Sequence, residues 1–555
     1  MTTLDHPAAP EPRAAIDRLW KRDLDHYPET GPRVWYLAVV VLATIVLYCE
    51  QYVTGGVAPL VLAHFEMSFL FYVNALVIGG LVGAFGALAA GLCDRWGRAN
   101  LVAYGLGVTG VLTLLVPSMP NKWAFVVLLT VIGMVEGVIL VATPALVRDF
   151  SPQLGRASAM GFWTLGPVVA SLIVSFVANR TLERLDNSWA SQYYIMGAFG
   201  LAVFAIALVG LRELNPGLRS QVMVSAEDRA KVEARAAQAE ASADLGRPWA
   251  QMLKFDILAP AAGISIFLII YYTAVGFFTI YLTTTFGFST SRANGINTWY
   301  WAMDAIALVV VGLVSDRLRV RKPFMAGGTV LAVVMTYVFL TRATHPHTSF
   351  AALATIVSLL AVGLAIAYAP WMAAFTETVE RRNPALMAHG LAVWGWTTRI
   401  AVAGSVFALQ YVVSSANTLV SAPEKLAEAK AAQQSGHAPS AGLMHQLADI
   451  KQAAADAPHQ WQHWWWVCIA AQLLFFALML PLAGRWSPRA AKADIEAAVS
   501  GARGRGPTGP SSRPRRARTR GRAARARPPR PRRTRCRRRV RRRRAARAAT
   551  VRPRP

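Results

Sequence analysis

The 555-residue chain is 54% hydrophobic and only 16% charged, which excludes an ordinary soluble protein, where charged residues run at about a quarter. Its net charge of +28 falls to +4 once the 24 arginines of residues 501–555, a stretch without Asp or Glu, are set aside. The body is therefore not polybasic, and a nucleic-acid-binding role has only the tail to support it.

The segment before Val34 is polar and carries Pro and charge, with no cleavable signal peptide in view, so the first apolar run is expected to serve as an uncleaved signal-anchor. Apolar runs long enough to cross a bilayer, which takes about 20 residues, then recur along the chain. Twelve helices are predicted, at 34–60, 69–91, 101–119, 123–147, 157–179, 191–212, 256–283, 295–314, 323–341, 350–374, 389–413 and 463–484. Helix is the reading because lipid offers backbone groups no partners, and barrel strands would be half as long and alternate in polarity.

The expectation is an all-α membrane protein of two pseudo-symmetric six-helix halves, 34–212 and 256–484. A polar segment 1–33 precedes them and a linker 213–255 joins them, with an Ala/Glu/Arg-rich solvated helix expected over 226–245. A second polar insert, 414–462, separates helices eleven and twelve. After it, Trp461, Trp464, Trp465 and Trp466 are expected to mark a membrane interface, where indole rings favour the headgroup layer. Residues 485–555 form a tail, disordered and Arg-rich from about 501, suited to anionic lipid or to nucleic acid, though a shifted reading frame in GC-rich DNA would give the same composition. Lys and Arg concentrate in the loops after helices two, four, eight and ten, which places both termini in the cytoplasm, in a plasma membrane, or the inner membrane of a bacterium.

Two short turns, one in each half, repeat each other: Gly91-Leu-Cys-Asp94-Arg95-Trp-Gly97-Arg98 and Gly312-Leu-Val-Ser-Asp316-Arg317. Thr143-Pro144 and Ala369-Pro370 are separated by nearly the same offset, so the duplication extends through the halves. These features resemble the major facilitator superfamily of secondary transporters, whose helix 2–3 turn reads roughly G-x-x-x-D-R-x-G-R-[RK] with a weaker copy after helix eight. Ala90 stands at the family's first Gly and Ala99 at its last basic position, and the second copy has Arg319 in place of the Gly. The resemblance covers about residues 34–484. It implies that Gly91, Asp94, Arg95, Gly97, Arg98, Gly312, Asp316 and Arg317 form a gating motif that latches the halves at the cytoplasmic face. Gly166-Pro167 in helix five resembles a fragment of a further family motif, and the Arg expected in helix four is replaced by Gly133 with Glu136 nearby.

A charge at mid-bilayer costs about 2.5–3.5 kcal/mol on insertion scales and faces a cavity or a partner. Four such residues stand out: Glu50, Glu136, Asp304 and Arg399. The resemblance implies that helices one, four, seven and ten line a central cavity, which makes Glu136, Glu50 and Asp304 candidates for proton coupling, since a carboxyl group screened from water keeps its proton to higher pH. Arg399 is a candidate for an anionic substrate, with an Asp304–Arg399 ion pair as the alternative. Tyr48, Gln51, Tyr52, Tyr271, Tyr272 and Phe278 are candidates for the cavity lining; ordinary helix packing is the alternative for each.

The function expected is secondary active transport by alternating access, with proton-coupled uptake of a small organic anion or metabolite. Proton-driven export of a drug or hydrophobic cation uses the same residues, and a non-transporting sensor or a nucleic-acid-associated membrane protein are the readings from other classes. Without a Walker motif an ATP-driven pump is not expected. Nor is an enzyme, for want of a nucleophile–base constellation. The four scattered cysteines give no metal or disulfide spacing, so no cofactor or metal is expected. The partners expected are the bilayer, a small-molecule substrate and protons.

Overall fold

A computed structural model describes residues 20–88, 96–151, 162–215, 248–318, 320–383, 386–435, 440–482 and 486–487. The expected all-α membrane architecture is present. In the N-terminal half the helices are α1 (Thr30–Gly56), α2 (Ala58–His64), α3 (Phe69–Leu88), α4 (Arg98–Leu115), α5 (Lys122–Phe150), α6 (Gly166–Thr181) and α7 (Trp189–Gly210). The C-terminal half has α8 (Pro248–Met252), α9 (Phe255–Phe267), α10 (Ile269–Phe286), α11 (Thr290–Leu318), α12 (Lys322–Arg342), α13 (Phe350–Arg382) and α14 (Met387–Val412). After these come α15 (Ala416–Leu419), α16 (Ala422–Gln434) and α17 (Ala441–Leu478).

Among the described residues ten helices are long and apolar enough to cross a membrane, or eleven if α2 and α3, bent by 113°, count as one span. The twelve expected are thus not reached. The last helix, α17, falls short because its Gln, His and Trp residues and its polar first half dilute the apolar run. Equivalent packing recurs in the halves: α3 lies on α5 as α11 lies on α13, and the halves meet where α6 packs on α11, α14 on α3 and α10 on α1. The expected solvated helix 226–245 and the Arg-rich tail lie outside the described residues.

Three details depart from the sequence reading. The seventh span breaks at Leu268, so α9 and α10 are separate helices. The segment before α1 is not merely polar leader: Asp23–Leu24 (β1) pairs in parallel with Glu213–Leu214 (β2), and Arg22, only 1% exposed, donates to the Ala207 carbonyl at 2.8 Å. Third, Trp461, Trp464 and Trp465 are buried, and only Trp466 faces outward. Spaced three and four apart, the three indoles share one helix face. Trp461 and Trp465 meet Tyr281 at ring separations of 4.7 and 5.2 Å, and Trp464 Nε1 donates to Thr273 Oγ1 at 3.2 Å.

Candidate transport site

A helix advances about 100° per residue, so Tyr48 and Tyr52 share a face of α1 while Glu50 points the other way. The two tyrosine rings lie 5.3 Å apart. Both are half-buried, and both are within electrostatic reach of Glu136 on α5. Glu136 is itself 2% exposed, and its Oε1 has no hydrogen-bond partner. Gln51 is exposed. Glu50 packs behind this surface, inside the N-terminal half. Gly200 of α7 lies so close to its carboxylate that a Cβ there would collide, and Thr109 of α4 and Glu136 of α5 are within its electrostatic reach. The structure therefore turns Glu50 toward α4 and α7 rather than toward the cleft between the halves.

Across the cleft, Tyr271 and Tyr272 of α10 and Tyr368 of α13 are half-buried. Tyr52 is in electrostatic reach of Tyr271 and Tyr272, and Tyr48 of Tyr272 and Tyr368. Five tyrosines from both halves thus converge. Arg399 of α14 is exposed toward the same space, within reach of Tyr48 and Tyr272, and forms no ion pair among the described residues. Its helix is fixed near the break in the seventh span, where Ser265 Oγ lies 3.1 and 3.0 Å from the hydroxyls of Thr397 and Thr398.

Asp304, 4% exposed, sits with Tyr271, Tyr300 and Tyr368. The alternative of an Asp304–Arg399 ion pair is not what the structure shows, because the helices are not packed as neighbours: α11 rests on α13 and α14 on α9. Phe278 leaves the cleft as well. It is fully buried in the C-terminal half against Tyr300, Phe339 and Trp465, at ring separations of 5.7, 5.6 and 5.8 Å.

Of the gating motif, Gly91, Asp94 and Arg95 lie outside the described residues. Gly97 takes φ +84° and ψ 140°, and a Cβ on it would strike the Glu213 carboxylate. That carboxylate accepts from the Arg98 backbone N–H at 2.8 Å, at the N-terminus of α4 where the helix dipole favours a negative charge. The Arg98 guanidinium holds Asp149, at the end of α5, through Nη1 at 2.8 Å. In the second half Arg321 binds Asp316 at 2.6 Å and Glu377 at 3.3 Å, while Arg317 is exposed and Gly312 faces open space. Asp149 and Glu377 went unremarked in the sequence. Their separation along the chain is close to that of the two turns, and that repeat is the signal that could have found them.

These ion pairs, with Arg382–Asp256 at 2.6 Å, stay within one half at the end of the bundle that carries the turns. At the opposite end the halves touch. Asn294 Nδ2 donates to the Gly56 carbonyl at 2.7 Å, Ser291 Oγ to the Asn179 carbonyl at 2.9 Å, and Phe277 meets Phe69 and Tyr72 edge-on. Gly55 lies directly against the Val275 carbonyl, where a Cβ has no room. The molecule is therefore sealed at that end, with charged groups and tyrosines gathered in the cleft behind the seal.

Two helical halves of matching packing around a polar, aromatic cleft are an architecture shared by many secondary membrane transporters. A family model of the Major Facilitator Superfamily matches residues 40–408. The chain belongs to that superfamily. Its fold is similar to the crystal structure of a bacterial homologue of the human lysosomal transporter Spinster in an inward-facing, unoccupied conformation. The TM-score is 0.59 at 14% identity, over 82% of this chain and 98% of that one. The nucleoside transporter NupG is similar at TM-score 0.52 and 13% identity, over 80% and 99%.

In sequence, the chain is 23% identical to a probable chloroplastic anion transporter of Oryza sativa subsp. japonica over 50% of this chain and 52% of that protein. It is 22% identical to sugar phosphate exchanger 3 of Gallus gallus over 50% and 58%. The chain thus spans little more than half the length of the curated relatives it matches.

Proposed function

We propose that this protein carries a small organic anion across its membrane together with protons, by alternating access of its two halves. The observation that carries the reading is the pairing of an unpaired guanidinium, Arg399, with a buried carboxyl, Glu136, on opposite walls of one tyrosine-lined cleft. A guanidinium presents a fork of donors matched to a carboxylate or phosphate. A carboxyl without a charged partner, shielded from water, binds a proton readily and releases it when water reaches it. Tyr48, placed between them, lets substrate at Arg399 bias the protonation of Glu136. Glu50, behind the wall, and Asp304, beside the C-terminal tyrosines, are secondary proton sites in this scheme. The similarity to an anion transporter and to sugar phosphate exchangers supports the sign of the substrate.

With the basic turns in the cytoplasm, the sealed end is extracytoplasmic and the structure is an inward-facing state of a plasma-membrane protein, both termini inside. The gating motif then latches the halves only in the other state, consistent with ion pairs that here stay within each half. The test is reconstitution in proteoliposomes with an internal pH dye and a panel of organic anions, comparing the native protein with Glu136→Gln. Acidification that accompanies anion entry and vanishes in the variant supports the scheme; anion flux without a proton signal removes Glu136 from it. Proton movement only against lipophilic cations replaces uptake by export, with the carboxyl groups as the cation's counter-charges.

A further inference from the structure

The cleft says more about the substrate than its sign. We infer that the anion is a planar aromatic monocarboxylate, its carboxylate held by Arg399 and its ring by the tyrosines; this rests on the anion reading above. The first ground is charge. Among the described residues outside the 414–462 insert, Arg399 is the only Lys or Arg of the long helices that lies more than one turn from a helix end. A phosphate monoester carries about 1.5 to 2 negative charges at neutral pH. One guanidinium leaves much of that uncompensated, in a cleft that also holds Glu136 and Asp304, and an unpaired charge away from water is costly. A monoanion is matched one to one.

The second ground is the lining. Tyrosine rings line the cleft from both halves: Tyr48 and Tyr52 lie 5.3 Å apart on one wall, and Tyr271 and Tyr272 lie 5.2 Å apart on the other with Tyr368 in reach. Their hydroxyls make no hydrogen bond with the protein among the described residues, which leaves them free for a ligand. Aromatic pairs add a favourable interaction beyond the area they bury, an advantage that a saturated ring of similar size does not share. Tyr48 and Tyr272 are the two tyrosines within reach of Arg399, so a ring attached directly to the bound carboxylate falls between them, one from each half. Substrate would then draw the walls together, as alternating access requires.

The experiment compares uptake of 4-hydroxybenzoate, cyclohexanecarboxylate and glucose 6-phosphate into proteoliposomes by the native protein, Arg399→Ala, Tyr272→Phe and Tyr272→Leu. The expected result is half-saturation by 4-hydroxybenzoate at a concentration at least tenfold below that of either competitor. That preference should survive Tyr272→Phe, shrink severalfold in Tyr272→Leu, and disappear with all anion uptake in Arg399→Ala. Equal handling of the two ring carboxylates, or preference for glucose 6-phosphate, with either flux still dependent on Arg399, overturns the aromatic assignment and leaves anion transport standing. Loss of Arg399 dependence for every anion overturns both.

Discussion

Replacing Gly97 by alanine tests the turn end of the N-terminal half at its most constrained point. At φ +84° and ψ 140° a residue with a side chain is strained by about 1–3 kcal/mol. The new methyl also meets the Glu213 carboxylate, which must withdraw from the Arg98 N–H it binds at 2.8 Å. A hydrogen bond to a charged group contributes about 1.5–3 kcal/mol. The two effects together predict a loss of about 2.5–6 kcal/mol. Reversible unfolding in mixed detergent micelles measures it for Gly97→Ala, Glu213→Ala and the double variant. With the carboxylate gone the methyl has room, so the double variant should lose about 1.5–3 kcal/mol less than the sum of the single losses. A Gly97→Ala protein within about 0.5 kcal/mol of native, the range of an ordinary surface change, would refute the reasoning, and so would strict additivity.

Arg399→Lys keeps the charge but loses the planar fork; about tenfold weaker half-saturation by the transported anion is expected, read from initial uptake rates. Gly55→Ala places a methyl against the Val275 carbonyl and should loosen the seal. In a background without native cysteines, labelling of Thr290→Cys, a position now only 7% exposed, should accelerate; unchanged labelling would count against a glycine-dependent seal. Trp464→Phe removes a hydrogen bond to Thr273, whose hydroxyl still donates to the Ile269 carbonyl at 2.9 Å. The unfolding free energy should fall by only about 0.6 kcal/mol, typical of interhelical hydrogen bonds in membranes, with transport intact.

Much of the architecture was legible because lipid enforces helices and because the chain repeats itself. The turns at Gly97-Arg98 and at Asp316-Arg317, and the prolines at 144 and 370, announce the two halves before any contact is known. Directions around a helix axis were also open to reading. The two-residue step from Tyr48 to Glu50 runs past the half-turn and already forbids both from facing one cleft. The three- and four-residue steps among Trp461, Trp464 and Trp465 already place them on one buried face. Other features lie beyond local pattern. Glu213 caps a helix whose first residue, Arg98, is far from it in the chain, and nothing in its own polar surroundings reveals that partner. Likewise the break at Leu268 falls where no Gly or Pro marks it, so the local sequence does not announce it. That Asp304 and Arg399 do not meet depended on which helices became neighbours, which depth alone cannot tell.

The contrast between the two ends of the bundle has a consequence for how the transporter responds to its surroundings. The seal at one end rests on Asn294 and Ser291 donating to main-chain carbonyls and on a glycine against another, while the other end is laced with the carboxylate pairs of Arg98, Arg321 and Arg382. Ionic strength weakens exposed charge pairs and leaves neutral, buried hydrogen bonds nearly untouched. Salt on the sealed side should therefore be almost inert, whereas salt on the turn side should loosen the helix ends that these pairs tie together within each half.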